Sequence, residues 1–262
     1  MLRALYTSAT GMRAQESLID NTANNIANVN TTGFKKSYLN FADLLYSTQR
    51  APGTEIATGQ VSPTGLQIGS GVRVVGTTKS FNAGVPEQTG GKFDVMIEGD
   101  GFFKVLIPGG EFRYTRDGSF TPDATGQLVT KDGYILQPPI TVSQDAKDVT
   151  IGVDGTVSVT VAGQSTPQSI GSLQIVKFLN PAGLSSEGGN LYSATGASGN
   201  EVPGTPGQVG FGAIRQGTLE KSNVEVVTEL ISLITAQRAY EVNSRAIRAG
   251  DEMLSTTNDI VR

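Results

Sequence analysis

Residues 19–36 read IDNTANNIANVNTTGFKK, and the reading of the chain starts from the helix this stretch completes. Wound back to residue 2 at about 100° per residue, it puts Leu5, Ala9, Met12, Ile19, Ala23 and Ile26 within about a quarter turn of one another, as one apolar face. Asn21, Asn24, Asn25 and Asn28 fall on the opposite side. A helix facing water would carry Lys and Glu there rather than four poor helix formers. A helix end fraying into a turn is the plain alternative, since Asn favours such positions. Only Arg3, Arg13, Glu16 and Asp20 are charged in the first thirty residues, which favours a neutral hydrogen-bonding face for other subunits. Gly33 supplies the stop, so a helix is expected over residues 2–30, about 42 Å long. Its apolar face contributes on the order of 10 kcal/mol, against about 1 to 2 kcal/mol of backbone entropy for each ordered residue. One packed face is marginal. The helix is expected to fray in an isolated monomer and to order when its Asn face also meets protein.

The far end of the chain supplies a partner. Val226, Leu233, Tyr240, Ile247, Leu254 and Val261 recur every seventh residue, the spacing of a helix packed along a left-handed supercoiled seam. Ser222 and Glu225 fit an S-x-x-E capping box at its start, and Glu241 precedes Arg245 by four residues, the favourable order for an exposed pair. Ala236, Ala239, Ala246 and Ala249 permit close approach of a neighbouring helix. A second helix of about 57 Å is expected over residues 223–261.

Between the helices the period changes to two. FDVMI (93–97), FFKVLI (102–107), GYILQ (133–137), DVTIGV (148–153), TVSVTV (156–161) and SLQIVKFL (172–179) read as strands. Asp100/Gly101, Asp117/Gly118, Asp132/Gly133 and Asp154/Gly155 sit at or near their ends, with TIGVDGTVSV the clearest hairpin. Turn chemistry outweighs a calcium reading of these Asp, which lack EF-hand or nonapeptide spacing. Gly and Pro punctuate residues 46–75 and 200–217, extended stretches too short to hold cores of their own. The expected class is α+β: long N- and C-terminal helices paired as a coiled coil (1–32 and 222–262), an extended β connector (33–78 and 200–221, with an arm at 46–65), and a central inserted all-β domain (79–199).

Composition narrows the chemistry. The chain of 262 residues has 33 Gly, 17% charged residues, and neither Cys nor His, which removes thiol catalysis, disulfides, imidazole proton transfer and the usual zinc or copper sites. A net charge of −4 argues against a nucleic-acid surface. No run approaches eighteen apolar residues, so no membrane insertion is expected, and polar residues interrupt the N-terminal stretch where a cleavable signal would be apolar. Asp94, Glu98 and Asp100 are the one acid cluster to weigh as a hydrolase pair, but alternation puts Asp94 and Glu98 on the face of Met96, and Asp100 lies in a Gly-flanked turn. Neither GDG nor PGG opens a phosphate loop. No catalytic residue, metal site or cofactor is expected. A secreted adhesive β protein is the competing class, yet the chain has no Trp and its seven Tyr are scattered.

ANNIANVNTTGFKK (23–36), DVMIEGDGFFKV (94–105), YTRDGSFTPDATGQLVT (114–130), GYILQP (133–138) and VVTELISLITAQRAYEVNSRAIRAGDEML (226–254) resemble the bacterial flagellar axial proteins of rod and hook. The likeness spans nearly the whole chain. Residues 41–54 and 63–75 are similar to the distal-rod branch of that family, with the larger proximal rod protein and the hook protein the nearest alternatives. The resemblance implies a helical homopolymer: a hollow drive shaft carrying torque across the periplasm, with terminal helices lining an export channel and the β domain outermost. It implies as partners further copies of the chain, proximal rod proteins, hook protein, surrounding periplasmic and outer-membrane rings, a rod cap and the flagellar type III export apparatus. Subunit-interface roles are expected for Leu5, Met12, Ile19, Asn21, Asn24, Asn25, Ile26, Asn28, Leu233, Tyr240, Ile247 and Leu254. Pro52, Gly53, Pro63 and Gly65 punctuate the arm expected to stiffen the rod. Phe41 and Leu45 match the family's export-gate docking pattern, or else are core residues of the connector.

Overall fold

The computed structural model describes residues 2–53, 55–57, 60–61, 63–143, 145–161 and 166–260. The chain divides into two units, one of Met1–Ile26, Ser37–Thr78 and Glu225–Arg262, the other of Ala27–Lys36 and Lys79–Val224. The expected connector is thus shared out: residues 37–78 group with the helices, and residues 200–221 with the β strands.

The first unit is built on two helices, α1 (Leu2–Ala27) and α2 (Val226–Ile260). They run antiparallel. A Cβ on Gly250 would lie 2.7 Å from Leu5 Cδ2, a Cβ on Gly11 would meet Asn243 at 3.0 Å, and Asn25 hydrogen-bonds Glu229. Helix α1 stops at Ala27, three residues short of expectation, and the chain turns through residues 28–33. Gly33 has φ +69° and would press a Cβ to 2.6 Å from the Asp117 amide nitrogen, so the stop needs glycine twice over. Helix α2 begins at Val226, and the capping box does not form. Ser222 Oγ accepts from the Val224 amide, while the Glu225 carboxylate accepts from the Thr228 hydroxyl.

Two pairs of strands complete this unit. Ser37–Asp43 pairs with Val72–Lys79, and Tyr46–Arg50 runs antiparallel to Leu66–Gly69. Beyond the second pair, Glu55–Ala57 runs antiparallel to Gln60–Val61, as the arms of a hairpin, and residues 54, 58–59 and 62 of the expected arm lie outside the described residues.

The second unit holds the hydrophobic core. Phe102–Leu106 is central to a nine-stranded sheet, flanked antiparallel by Phe112–Thr115 and Ile135–Gln137, with Ile175–Lys177 also pairing it. Alternation along this strand sends Phe103 and Val105 into the main core with Ile97, Leu136 and Ile175. Phe102 turns to a second cluster with Tyr114, Phe178 and Tyr192, packed edge-to-face. Ala146–Ile151 and Thr156–Val161 form the expected hairpin: Gly155 has φ +81°, and Asp154 Oδ1 accepts from the Thr156 amide at 3.1 Å. The late strands return to close the unit, Ala213–Gln216 on Val95–Glu98 and Thr218–Glu220 on Pro86–Gln88.

Candidate assembly surfaces

Asn25 is the polar pivot of the first unit, 1% exposed. Its Nδ2 donates to the Ser37 carbonyl at 3.0 Å and to Glu229 Oε2 at 3.2 Å, and its Oδ1 accepts from the Ser37 amide at 3.1 Å. Asn21 donates to the same carbonyl at 2.7 Å. An amide supplies two donors and an acceptor in one plane, which neither Asp nor Leu could replace here. This corrects the expected Asn face. Asn21 and Asn25 are used inside the chain, tying α1 to α2 and to the first strand, while Asn24 is exposed and Asn28 half-buried, its Oδ1 accepting from the Thr31 hydroxyl at 3.2 Å.

The helix stripes shift likewise. On α1 the deepest residues are Ala14, Thr22 and Asn25; Leu5, Met12, Ile19 and Ile26 are half-buried and Ala23 is exposed. Of the expected sevenfold line on α2, Leu233, Ile247 and Leu254 are half-buried, Val226 and Tyr240 are exposed, and Val261 lies outside the described residues. Glu229, Ala236, Asn243 and Gly250 form a second sevenfold line, and three of these four are buried. Small and polar residues sit closest to α1 because a short side chain lets the helix axes approach.

Many large apolar side chains of this unit are exposed. Leu45 is 88% exposed, and Phe41, Tyr46, Leu66 and Ile68 are exposed beside the arm. Phe41 and Leu45 are therefore not core residues of the described chain. On α2, Val227, Leu230, Ile231, Ile234 and Val242 are exposed as well. Pro52, Gly53, Pro63 and Gly65 are all exposed along the arm. Gly53 has φ +83°, and a Cβ on Gly65 would lie 2.7 Å from the Arg50 carbonyl oxygen, so the hairpin closes only with glycine there.

The second unit contains a buried charge cluster absent from the expected site residues. Lys35, Glu220 and Arg116 are 0%, 1% and 2% exposed. Lys35 Nζ pairs with Glu220 Oε1 at 2.5 Å and donates to the Asn82 carbonyl at 2.7 Å; the Gly84 amide also donates to Oε1, at 2.8 Å. Arg116 Nη1 lies 3.6 Å from Glu220 Oε2, with its guanidinium 5.3 Å from the Phe102 ring centre. Burial pushes the Lys35 ammonium below its ordinary pKa and Glu220 opposes that shift; burial likewise lowers Arg116. Burial also pushes the Tyr192 phenol up to about 12. Backbone bonds gather the same segments: the Gly33 amide donates to the Glu220 carbonyl at 2.7 Å, and Asn223 Oδ1 accepts from the Lys36 amide at 2.8 Å. The available signal was alternation in Thr218–Glu220, where Thr218 and Glu220 share the buried face.

The acid cluster is dispersed. Asp94 accepts from the Thr89 hydroxyl at 2.5 Å, and Asp100 pairs with Lys177 at 2.9 Å. Among the described residues no three His, Cys, Asp or Glu side chains gather as a metal site, and no helix is long and apolar enough to cross a membrane.

Comparison with known proteins finds matches at both ends and in the middle of the chain. Residues 5–35 match the family described as flagella basal body rod protein, residues 96–159 the flagellar hook protein FlgE/F/G D1 domain, and residues 215–260 the flagellar basal body rod FlgEFG protein C-terminal region. The chain is 45% identical to flagellar basal-body rod protein FlgG of Borreliella burgdorferi, over 100% of both chains. It is 46% identical to that of Buchnera aphidicola subsp. Schizaphis graminum, over 99% of this chain and 100% of the relative. To that of Bacillus subtilis it is 39% identical over 100% of both. With identity of this order along the whole length, the chain belongs to the FlgG family of flagellar basal-body rod proteins.

Proposed function

We infer that the protein is a structural subunit of the bacterial flagellar distal rod, and not an enzyme. The observation that carries the reading is the first unit's surface: Val227, Ile231, Ile234 and Val242 on α2 and Leu45, Tyr46 and Leu66 beside the arm are exposed. Contiguous apolar surface on a chain that works alone invites aggregation, whereas a polymer covers it with copies of itself. Purified protein followed by electron microscopy at rising concentration is expected to give hollow helical tubes. Particles that stay single at every concentration would overturn the reading.

In the rod the paired helices act as a coiled coil around an export channel, and the cylinder carries torque across the periplasm toward the hook. The chain travels by the flagellar type III route without cleavage, with Phe41 and Leu45, both exposed, docking at the gate. Normal secretion of a Phe41→Ala chain removes that role. The hairpin arm bridges neighbours and stiffens the shaft. Deleting residues 46–65 should leave polymers that bend, and straight rigid ones would refute the bridge.

A further inference from the structure

Four Asp-Gly pairs lie in the chain, at 100/101, 117/118, 132/133 and 154/155. An aspartyl carboxyl followed by glycine can react with its own main chain, because no side chain shields the glycine nitrogen. The neutral carboxyl is the reactive form: the amide nitrogen attacks Cγ, an N–C bond forms as the C–OH bond breaks, and the hydroxyl leaves with the amide proton as water. A five-membered succinimide remains. Water then opens it at either carbonyl, restoring aspartate or giving isoaspartate, in which the main chain runs through Cγ. A fold resists this by holding the carboxyl and by packing the glycine so that the turn cannot open locally.

Three of the pairs are held at both points. Asp100 pairs with Lys177 at 2.9 Å, and a Cβ on Gly101 would lie 3.0 Å from Ile175 Cδ1. Asp117 Oδ1 accepts from the Ser119 amide at 3.0 Å, and Gly118 lies against the Val95 carbonyl. Asp154 accepts from the Thr156 hydroxyl at 2.7 Å and amide at 3.1 Å, bonds that keep its carboxyl below the usual carboxylate range. Gly155 is buried, and a Cβ on it would lie 2.6 Å from the Leu173 carbonyl oxygen. The pair at 132/133 is held at neither point. Its turn is like that at 154/155: the Gly133 amide donates to the Thr130 carbonyl at 2.9 Å as the Gly155 amide does to that of Gly152 at 3.0 Å, with φ +84° and +81°. Yet Asp132 is exposed and has no hydrogen bond or ion pair among the described residues, and Gly133 is exposed with nothing within 4 Å of where a Cβ would stand.

We infer that Asp132 is a site of spontaneous modification, isomerising through a succinimide with Gly133 well ahead of the other three pairs. The product adds one carbon to the main chain of the turn between Leu128–Val129 and Ile135–Gln137, the second of which flanks the central strand Phe102–Leu106. The pairing of Val129 with Ile135 is where an aged chain is expected to loosen.

Storage of the full chain in warm, mildly acidic buffer tests this, with peptide mass spectrometry that separates aspartate from isoaspartate. Each hold is worth about threefold to tenfold in rate, so isoaspartate is expected at residue 132 about tenfold or more ahead of residues 100, 117 and 154. In urea the four pairs are expected to converge within about threefold, since only the fold distinguishes them. Another pair matching residue 132 in the folded chain overturns the assignment, as does a gap equally wide in urea. Amide variants give a second reading. D132N and D154N each create an Asn-Gly pair, which closes the same ring with loss of ammonia, and D132N is expected to deamidate about tenfold faster while both keep wild-type circular dichroism. Equal rates in the two variants overturn the inference.

Discussion

In the unit built on residues 79–224, side chains as large as Phe102, Phe103, Phe178 and Leu136 are fully buried. In the unit built on the terminal helices, the buried apolar side chains among the described residues are Ala14 and Ala236, while Thr22, Asn25 and Glu229 are buried beside them. Full burial of a Phe or Leu is worth about 1.5 to 3 kcal/mol, so the first of these units has a core of its own. The other is held by a polar pivot and by short side chains that admit close helix packing, and many of its large apolar residues are exposed while the rest are only half-buried. One chain thus contains a part with a large buried apolar core and a part in which many large apolar side chains are exposed. That division suits the rod reading proposed above, in which the helical ends polymerise while the β strands keep their shape.

The sharpest way to break the comparison is to remove the one carboxylate in the buried cluster. Glu220→Ala leaves Lys35 and Arg116 buried without their counter-charge, a loss of about 3 to 5 kcal/mol. Calorimetry of the full chain should show the β unit's transition falling steeply. A change below about 1 kcal/mol would mean the cluster is not part of what closes that unit. Asn25→Ala probes the other unit and should cost about 1 to 3 kcal/mol, because it strands the Ser37 amide and the Glu229 carboxylate. Its effect should appear in hydrogen exchange. In dilute wild type the α1 amides should already exchange faster than those of Phe102–Leu106, and in the variant about tenfold faster still. Equal protection of α1 and that strand in a dilute monomer would contradict the division between the units.

Much of this was legible because period and turn chemistry are local. The alternation of FFKVLI and the Asp154/Gly155 turn need no knowledge of the rest of the fold, and both helices follow from their apolar spacing. What misled was reading burial from apolarity. The line Val226, Leu233, Tyr240, Ile247 and Leu254 is apolar and sevenfold, yet the deepest residues lie on the line of Glu229, Ala236, Asn243 and Gly250. Where two helices approach closely, size decides burial before hydropathy does. Asn25 was assigned outward for the same reason. Its place inside depends on Ser37 and Glu229, twelve and 204 residues away. For the cluster of Lys35, Arg116 and Glu220, alternation in Thr218–Glu220 marks a buried face, but the partner could not be read, because Lys35 and Glu220 are 185 residues apart along the chain, a pairing only the topology creates.

The smallest effect sharpens the comparison most finely, because it separates the first unit's polar pivot from its exposed charges. Glu241 on α2 lies 3.4 Å from both Arg238 and Arg245, and all three side chains are at least half exposed. Exposed pairs three or four residues apart on a helix contribute about 0.3 to 0.5 kcal/mol and weaken in salt. Glu241→Ala removes both pairs and should therefore change thermal stability of the dilute chain by no more than about 1 kcal/mol at moderate salt, read by circular dichroism of the helices. If it cost more than about 1 kcal/mol, exposed charge would rival Asn25 in holding the unit together. The contrast between the polar pivot and the exposed charges of this unit would then be lost.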